Sequence, residues 1–431
     1  MAISPARTAA FDILYRIESE KAFSSVLLPE YESRLSANDR SLCHELTLGV
    51  LRRQICLDHL LSELSRNKKL DIAVRVALRI GIYQLAYLDR IPAYSAINDS
   101  VNLVARAKKS SAKSFVNAIL RTIQRDGIKL KLDDETERLS VETSHPVWLL
   151  EKWSRDLGKE AARSIAESNN CPPQLAFRLT ARGRSSGFDT SIYISNNLVT
   201  GSLAADTMDT GLSAAAENGD IYFQDPGSQL VGNAVGAVEI GRFLDVCAAP
   251  GSKTTQVAAQ SPAATLGNLL VAGDLHWPRV HFLRQNCRAQ GVAFVQLVQY
   301  DAAKALPFEN SAFNTVLVDA PCSGTGTIRH NPEIRYFIGP SDFENLSAKQ
   351  LGILKNASKL VKRGGILLYS TCSLEPEENE EVCERFLAQS PEFRVVPPRV
   401  PECFVQDSGF ARTFPHLDGM DGFFLAAFLS T

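Results

Sequence analysis

The sequence predicts a multidomain protein in which an all-α amino-terminal domain and a small α+β insert precede a doubly wound α/β domain. Three observations predict this fold class. Apolar residues recur at helical spacing through residues 9–123, short alternating runs follow between residues 174 and 194, and compact apolar strands alternate with helices from Ile221 onward. At ordinary domain sizes, 431 residues are enough for two or three separate cores.

The amino-terminal helices are bounded by sequence signals for helix ends. Ser36 and Asp39 supply capping side chains before one helix, and Pro92 separates two others because proline lacks an amide donor. Loops of ordinary length between these segments predict an all-helical domain over residues 1–135. The predicted helices are Ala9–Ile17, Ser41–Leu51, Leu57–Leu64, Ile72–Leu88, Ser95–Ala107 and Lys113–Ile123.

Residues 136–215 are predicted to form a linker and a small α+β RNA-binding domain. The acidic segment Asp133–Glu142 has the composition of a linker, and a helical pattern follows near Trp148. Gln174–Thr180 and Ile192–Ile194 are short, alternating and bounded by small polar residues, as half-buried strands are.

Residues 216–431 have the alternating pattern of a doubly wound parallel sheet. Each predicted strand is a compact apolar run, which is typical of strands covered on both faces. In such sheets, ligands bind outside the carboxyl ends of the strands. The predicted strands are Arg242–Val246, Leu269–Asp274, Phe294–Tyr300, Asn314–Ala320 and Ile366–Ser370, with Phe393–Pro397 and Phe423–Leu429 closing the sheet, and the predicted helices are Thr254–Gln260, Pro278–Gln290, Asp342–Leu360 and Pro376–Ala388.

The formal net charge of −2 hides an uneven distribution of charge. Residues 51–130 contain 15 Lys and Arg against 6 Asp and Glu, whereas residues 131–431 contain 26 against 35. The basic excess indicates a module attracted to a polyanion, although a solvated helical face accounts for the count equally well.

Composition and the amino-terminal residues exclude several classes of protein. With 45% hydrophobic and 22% charged residues, the chain is neither low-complexity nor wholly disordered. The apolar stretch Val76–Leu88 is too short to span a membrane and contains Arg79. Arg7 and Asp12 lie where a signal peptide requires an uncharged apolar run. We therefore expect a cytoplasmic protein without a membrane segment.

The nine cysteines are spaced unlike those of a zinc site or a disulfide framework. No two form a Cys-x-x-Cys pair, and an odd number in a chain without a signal peptide fits reduced thiols. We expect no metal, and we expect most of these thiols to be buried as small apolar groups.

A predicted strand runs into a small-residue turn and then a helix at Asp245-Val-Cys-Ala-Ala-Pro-Gly-Ser-Lys253. The turn presents backbone amides at a helix N-terminus, but it lacks the glycines that a Walker loop or a dinucleotide fingerprint requires. Nucleotide-like binding without a phosphate cradle favours an adenosyl ligand, and a purely structural turn is the alternative. Asp274 and Asp301 lie at the ends of the next strands, where ribose hydroxyls and a base amine need acceptors.

Two cysteines lie at the predicted ends of neighbouring strands. Cys322 follows Asp319 in Asp319-Ala-Pro-Cys-Ser-Gly-Thr-Gly326, and Cys372 lies in Tyr369-Ser-Thr-Cys-Ser373. A thiolate that adds to C6 of cytosine makes C5 nucleophilic towards an activated methyl group, and a carboxylic acid at N3 stabilises the developing charge. The residues themselves leave open which thiol attacks, and a packed structural thiol is the alternative for each.

The segments Asp245–Lys253, Asp319–Gly326 and Tyr369–Ser373 resemble the signatures of RNA cytosine-C5 methyltransferases that use S-adenosylmethionine. Residues 7–123, with Asp39-Arg-Ser-Leu42 and Phe115-Val-Asn-Ala-Ile-Leu120, are similar to the antitermination factor NusB. Together with Ser144-His-Pro-Val-Trp148 and Asp421-Gly-Phe-Phe424, the pattern resembles the bacterial 16S ribosomal RNA methyltransferase family RsmB, also called Sun or Fmu. The resemblance implies a NusB-like domain, a Rossmann-like methyltransferase domain and S-adenosylmethionine as the cofactor.

The resemblance also implies a role for each site residue. Cys372 is the expected nucleophile, Cys322 is expected to assist release of the methylated base, and Asp319 is expected beside the methyl group and the target base. Asp274 is expected to bind the ribose and Asp301 the adenine. The residues expected to line the cofactor pocket are Cys247, Ala248, Ala249, Pro250, Gly251, Ser252, Lys253, Asp274, Asp301 and Asp319.

The expected partner is 16S ribosomal RNA, bound by a monomeric enzyme without an obligatory protein partner. Phosphate contacts from the basic region give affinity and register, and the target cytosine must leave its stack to reach the thiols. The alternatives are the same chemistry on transfer RNA or another ribosomal RNA, and a non-catalytic RNA-binding or antitermination protein. The expected RNA contacts are Arg106, Lys108, Lys109, Lys113 and Arg121, with Arg329 and His330 near the flipped base.

Overall fold

A computed structural model describes residues 3–130, 132–238, 241–261 and 269–431. The chain divides into two compact units. The helical unit runs from the amino terminus to Pro172 and includes the later segment Ile328–Ile338, and the α/β unit contains Pro173–Thr327 and Gly339–Thr431. The boundaries predicted at residues 135 and 215 stay predictions.

The helical unit is built from consecutive helices, and those up to Val141 pack around one apolar core. Buried side chains such as Phe11, Leu46, Leu78 and Leu120 come from different helices and meet in this core. In the described residues, no helix combines the length and the apolarity needed to cross a bilayer. The helices are α1 (Pro5–Glu20), α2 (Ser24–Glu32), α3 (Ala37–Arg52), α4 (Gln54–Leu64), α5 (Ile72–Tyr87), α6 (Ala93–Arg106), α7 (Lys113–Asp126), α8 (Glu135–Thr143), α9 (Val147–Asp156) and α10 (Lys159–Ser168).

Two helices of this unit differ from the sequence prediction. Helix α2 was not predicted, and it contains Pro29, which ordinarily interrupts a helix. The acidic segment Asp133–Glu142, predicted as a linker, is largely helical because Asp134 caps α8 and accepts the Glu137 N–H at 2.7 Å. Val141 packs in the apolar core. Burial of this side chain stabilises α8 although the sequence around it is charged.

The α/β unit begins with a small antiparallel sheet of strand order β2-β3-β1-β4. Phe177 forms its centre, with ring centroids 4.9 Å from Tyr193 and 6.2 Å from Phe223. The sheet continues past residue 215, since Phe177 pairs in register with Phe223. Its elements are β1 (Leu175–Leu179), α11 (Ala181–Ser186), β2 (Ile194–Ser195), β3 (Ser202–Ala205), α12 (Thr210–Asn218) and β4 (Ile221–Phe223).

The large sheet of the same unit has the strand order β10-β12-β9-β8-β5-β6-β7, with β11 paired to β12. Strands β5 to β9 are parallel, and β12 runs antiparallel to both β9 and β10. Its elements are α13 (Pro226–Gly236), β5 (Arg242–Asp245), α14 (Ser252–Gln260), β6 (Leu269–Asp274), α15 (Trp277–Ala289), β7 (Gln296–Gln299), β8 (Phe313–Asp319), α16 (Ile334–Phe337, in the helical unit), α17 (Pro340–Ser358), β9 (Val361–Thr371), α18 (Glu380–Leu387), β10 (Phe393–Val396), β11 (Ala411–Arg412), α19 (Pro415–Asp418) and β12 (Phe424–Ser430).

Apolar side chains cover both faces of the large sheet, as the predicted fold class requires. Successive residues of β5 point to opposite faces, so Phe243 and Leu244 belong to different apolar clusters. Leu244 packs in the cluster that contains Leu354 of α17, and Phe243 packs in the cluster that contains Val257 of α14. The predicted doubly wound fold is therefore confirmed.

Candidate active site

The carboxyl ends of the central parallel strands meet at one edge of the large sheet. Asp245 ends β5, Asp274 ends β6 and Asp319 ends β8, and Cys372 directly follows β9. The strand order reverses between β5 and β8, and open α/β sheets bind ligands beyond such a point. The topology therefore brings the acids and the thiol predicted from the sequence to the same edge.

The turn that follows β5 is tied to the strands on both sides. The Val246 N–H donates to the Leu317 carbonyl of β8 at 2.9 Å. The Ala248 N–H donates to the Gly273 carbonyl of β6 at 2.8 Å. Because both neighbours are sheet backbone, the turn has a defined position at the sheet edge.

Gly251 forms the junction between this turn and α14, which begins at Ser252. Its φ of +105° is unfavourable for a side chain, and a Cβ there would lie 2.4 Å from Leu283 Cδ1. The peptide bond between Ala249 and Pro250 is cis. Glycine is therefore required at this position for conformation and for space.

Asp245 is a buried acid with one unused acceptor. The Thr254 hydroxyl donates to Oδ2 at 2.6 Å, and Oδ1 has no hydrogen-bond partner among the described residues. Burial raises the pKa of Asp245 to about 7, opposed by the Thr254 hydrogen bond and reinforced by the charge of Asp319. The group therefore changes its ionisation near neutral pH.

Asp274 and Asp301 are the acids that the sequence assigns to the ribose and the adenine. Asp274 is buried, accepts the Ala249 N–H at 3.2 Å and lies 3.4 Å from the Arg279 guanidinium. Asp301 is partly exposed and accepts the Ala303 N–H at 3.0 Å. Since a carboxylate has about four lone-pair sites, both groups retain capacity for further donors.

Lys253 and Asp319 form an ion pair between the turn and the end of β8. The Lys253 Nζ lies 2.7 Å from Asp319 Oδ2, and the Ser370 hydroxyl donates to Oδ1 at 2.7 Å. Lys253 also lies 5.0 Å from the ring centroid of Phe423. Burial by itself lowers the pKa of Lys253, but attraction to Asp319 outweighs it and raises the pKa. Each carboxylate oxygen of Asp319 therefore has a partner, Lys253 for Oδ2 and Ser370 for Oδ1.

The two predicted reactive thiols are in contact. The Cys322 Sγ and the Cys372 Sγ are 3.4 Å apart, and the Cys372 N–H donates to the Cys322 Sγ at 3.4 Å. Both are free and half-buried. The hydrogen bond with Cys372 and burial raise the pKa of the Cys322 thiol well above its ordinary value, and the charge of Glu378 adds to this. Cys322 is therefore a thiol, not a thiolate, at neutral pH.

The residues at this edge fit the S-adenosylmethionine that the resemblance implies. Ribose hydroxyls and an adenine amine require acceptors, which Asp274 and Asp301 supply. Asp245 Oδ1 is a further buried acceptor without a partner in the described part of the chain. Burial raises the pKa of Cys247, so the turn presents a neutral thiol. These acceptors thus suit the hydroxyl and amine groups of a nucleoside without a phosphate.

The predicted RNA contacts differ in exposure. Lys108 and Arg121 are exposed, and Lys113 at the start of α7 is half-buried. In the segment Ile328–Ile338, Arg329 is buried and His330 is half-buried. Their RNA contacts stay predictions.

Two further predicted RNA contacts are occupied by ion pairs. The Arg106 guanidinium donates to both oxygens of Asp12 at 2.6 and 2.8 Å. The Lys109 Nζ lies 2.8 Å from Asp71. Because each cation already has a carboxylate partner, it offers less uncompensated charge to a phosphate.

Several supporting side chains were not found by sequence reasoning. Ser370 lies opposite Asp319 in the strand register, so a paired-strand alignment could have indicated it. Arg178 of β1 is buried and donates to the carbonyl of Ser252 at 2.9 Å, which no local pattern signals. Glu378 contacts both cysteine turns, but Glu375, Glu377 and Glu380 lie close to it in the sequence, so no local pattern singles it out.

Comparison with known proteins identifies the family of this chain. Residues 235–429 match the family described as 16S rRNA methyltransferase RsmB/F, and residues 4–125 match the NusB family. The chain is 34% identical to the Bacillus subtilis protein named "Probable ribosomal RNA small subunit methyltransferase B", over 98% of both chains. It is 32% identical to the ribosomal RNA small subunit methyltransferase B of Pseudomonas syringae, over 89% of this chain and 87% of that one.

Solved structures share the fold. The crystal structure of PH0851 has a TM-score of 0.83 and 25% identity over all of both chains. A methyltransferase homolog protein from Pyrococcus horikoshii, 23% identical, has a TM-score of 0.57 over 70% of this chain and all of that one. With its NusB-family amino-terminal region, the chain belongs to the S-adenosylmethionine-dependent family of ribosomal RNA small subunit methyltransferase B.

Proposed function

We propose that the protein methylates C5 of a cytosine in 16S ribosomal RNA through a covalent bond between Cys372 and C6 of the base. Family membership gives the coarser activity, methylation of small-subunit ribosomal RNA. The observation that supports the finer chemistry is the 3.4 Å separation of the Cys322 and Cys372 sulfurs at the strand edge that also holds Asp319.

The cofactor is proposed to bind along the turn after β5. Bound S-adenosylmethionine supplies an electrophilic methyl group. Residues 247–253 line its site, Asp274 accepts hydrogen bonds from the ribose, and Asp301 accepts one from the adenine amine. The buried position of Asp274 and the conformation that Gly251 gives to the turn support this assignment.

Cys372 is the proposed nucleophile, as the family resemblance implies. Cys372 is one of the groups whose charge acts on Lys253, so the Lys253 ammonium lies near the proposed nucleophile. Cys322 is the poorer candidate because its raised pKa keeps the proton on sulfur. Addition of the Cys372 thiolate to C6 moves electron density onto C5.

Asp319 and Cys322 are proposed to act on the base before and after methyl transfer. Asp319, carrying a proton that the neighbouring Lys253 ammonium can supply, donates a hydrogen bond to N3 of the cytosine, where charge develops as Cys372 adds. After methylation, loss of the C5 proton to a base restores the double bond between C5 and C6 and expels the Cys372 thiolate. The contact between the two sulfurs supports a role for Cys322 in this release.

A trapping experiment tests the chemistry. RNA that contains 5-fluorocytidine at the target cannot lose a proton from C5, so we expect a covalent complex that is stable to denaturing electrophoresis. Cys372→Ala should abolish this complex. Cys322→Ala should instead accumulate a complex on ordinary RNA. A complex that persists in Cys372→Ala would show that another residue is the nucleophile.

Mapping of 5-methylcytosine tests the substrate. Total RNA from cells with and without the protein should differ at a cytosine of 16S ribosomal RNA. A difference confined to transfer RNA or to another ribosomal RNA would contradict the proposed substrate and leave the proposed chemistry intact.

A further inference from the structure

The side chain of Glu378 is completely buried between the two cysteine turns. Its Oε1 accepts the Ser323 N–H at 2.9 Å and the Gln350 amide at 2.8 Å. Its Oε2 accepts the Ser323 hydroxyl and the Ser373 hydroxyl, each at 2.5 Å. One carboxylate therefore collects four hydrogen bonds from three separate segments of the α/β unit.

The donors are the immediate neighbours of the reactive thiols. Ser323 follows Cys322, and Ser373 follows Cys372. Gln350 of α17 extends the same network, since its amide also donates to the carbonyl of Pro321 at 3.0 Å. The carboxylate thus joins the residue after one thiol to the residue after the other.

The four donors suit a side chain that accepts on both of its terminal atoms. All four are neutral N–H or O–H groups, and a carboxylate offers acceptors on both oxygens. A glutamine at this position would present one oxygen and one NH₂ group, so the two serine hydroxyls on the NH₂ side would have to turn from donors into acceptors. The observed arrangement of donors therefore matches a carboxylate, and a glutamine could keep the network only with both hydroxyl groups reoriented.

We propose that Glu378 is a positioning residue that holds Cys322 and Cys372 in contact for the methylation reaction. The inference rests on the proposed function for its catalytic consequence. Its geometric content, the fixed separation of the two sulfurs, is independent of that function. In the described part of the chain, Glu378 hydrogen-bonds to neither sulfur and acts through Ser323 and Ser373.

Oxidative cross-linking measures the geometry without RNA or cofactor. Diamide removes two electrons and two protons from a pair of thiols, forming one disulfide and the corresponding hydrazine. In the reduced full-length protein, we expect rapid formation of a Cys322–Cys372 disulfide, measured by mass spectrometry of the linked peptides. Glu378→Ala should slow this reaction by about tenfold or more, since the loss of one hydrogen bond corresponds to roughly a tenfold change and this variant removes the acceptor of four, and Glu378→Gln should be intermediate.

Matched variants separate positioning from general destabilisation. Glu333, in the helical unit, is also completely buried and accepts the Ser24 N–H at 2.6 Å. Glu333→Gln removes a comparable carboxylate and should leave the cross-linking rate unchanged. If Glu378→Ala does not fold, Ser373→Ala keeps the carboxylate, removes one connection and should still slow cross-linking.

Two further measurements distinguish the outcomes. Methyl transfer by Glu378→Gln should show a lower kcat with an unchanged KM for the cofactor. In the same variant, the pH dependence of Cys322 alkylation by iodoacetamide should shift to lower pH. The charge of Glu378, which raises the pKa of this thiol, is lost, while Cys372 and burial still act on it.

Cross-linking at the wild-type rate in Glu378→Ala and Ser373→Ala would overturn the proposal. If the wild-type protein methylates no cytosine, the proposed function fails, and cross-linking still decides whether Glu378 positions the thiols.

Discussion

At the scale of single residues, the substitution Lys253→Met tests what the positive charge of Lys253 contributes to the site. Lys253→Met leaves Asp319 hydrogen-bonded to Ser370 but without its cation. We expect kcat/KM for methylation to fall by about 100-fold, as for removal of one preorganised electrostatic group. Unfolding free energy should fall by about 1–2 kcal/mol, less than for a fully buried pair because Asp319 is partly exposed.

Lys253→Arg is the matched control, since it keeps the charge with a different shape. Methyl incorporation from labelled cofactor and urea unfolding measure the two effects. Wild-type kcat/KM in Lys253→Met would show that the ion pair has only a structural role.

Asp245 makes folding stability depend on pH. Its pKa is about 7 in the folded protein, against roughly 3.9 in an unfolded chain. Between these values the folded state binds the extra proton, so this stabilisation is full below about pH 4 and is lost as the pH rises through about 7. Each unit of pKa difference corresponds to roughly 1.4 kcal/mol.

Asp245→Asn removes this titration and keeps an oxygen for the Thr254 hydroxyl. Urea unfolding at about pH 5 and about pH 7.5 should show a steeper loss of stability in the wild type than in the variant. The same pH dependence in both proteins would show that Asp245 does not titrate in this range.

At the scale of elements, the turn between β5 and α14 depends on one glycine. Gly251→Ala places a Cβ in an unfavourable backbone region and against Leu283, at a cost of about 1–3 kcal/mol in strain. We expect weaker binding of S-adenosylhomocysteine, by about tenfold or more, because a shift of the turn moves the proposed binding residues. Isothermal calorimetry measures this affinity.

Gly352→Ala in α17 is the control for the loss of a glycine. A Cβ there meets no atom within 4 Å, so the helix should gain about 0.5–1 kcal/mol. Cofactor affinity should not change in this variant. Equal affinity in Gly251→Ala and the wild type would mean that the turn tolerates a side chain.

The strands of the large sheet were predictable because burial on both faces leaves a compact apolar run in the sequence. Asn314–Ala320, for example, differs from the observed Phe313–Asp319 by one residue at each end. The predicted helix Pro376–Ala388 is wrong at its start, since a 3₁₀ turn at Pro376–Glu378 precedes α18. Asn379 interrupts the helix because its side chain hydrogen-bonds Thr371 and Ser373, and no local sequence signal reveals such contacts.

At the scale of the whole molecule, the fold class could be predicted from the spacing of apolar residues. The placement of one segment in the other unit could not. The segment Ile328–Ile338 follows the turn of Cys322, yet it belongs to the helical unit. Arg335 fixes it there through hydrogen bonds to the Thr143 carbonyl and the Asn170 side chain, both at 3.1 Å. The predicted RNA contacts Arg329 and His330 lie in this segment and stay predictions, and only the packed structure shows that the nearby Arg335 donates to neutral acceptors.

Whether a basic side chain already has a carboxylate partner predicts how much it contributes to RNA binding by the helical unit. Lys113 and Arg121 have no carboxylate within ion-pair distance among the described residues, whereas Lys109 is 2.8 Å from Asp71. A phosphate contact made by an uncompensated cation releases a counterion, so Lys113→Ala and Arg121→Ala should each reduce the slope of log K against log salt by about 0.7–0.9.

Lys109→Ala should change the slope less, because RNA must first replace Asp71 as the partner of this lysine. Binding of 16S ribosomal RNA fragments, titrated at several salt concentrations, measures all three slopes, and the affinity for S-adenosylhomocysteine should stay constant throughout. If Lys109→Ala produces the largest change, the ion pair opens readily on binding, and exposure of charge in the free protein does not identify the RNA-binding residues. If no slope changes, the basic excess of residues 51–130 is a solvated surface, and RNA is bound elsewhere on the chain.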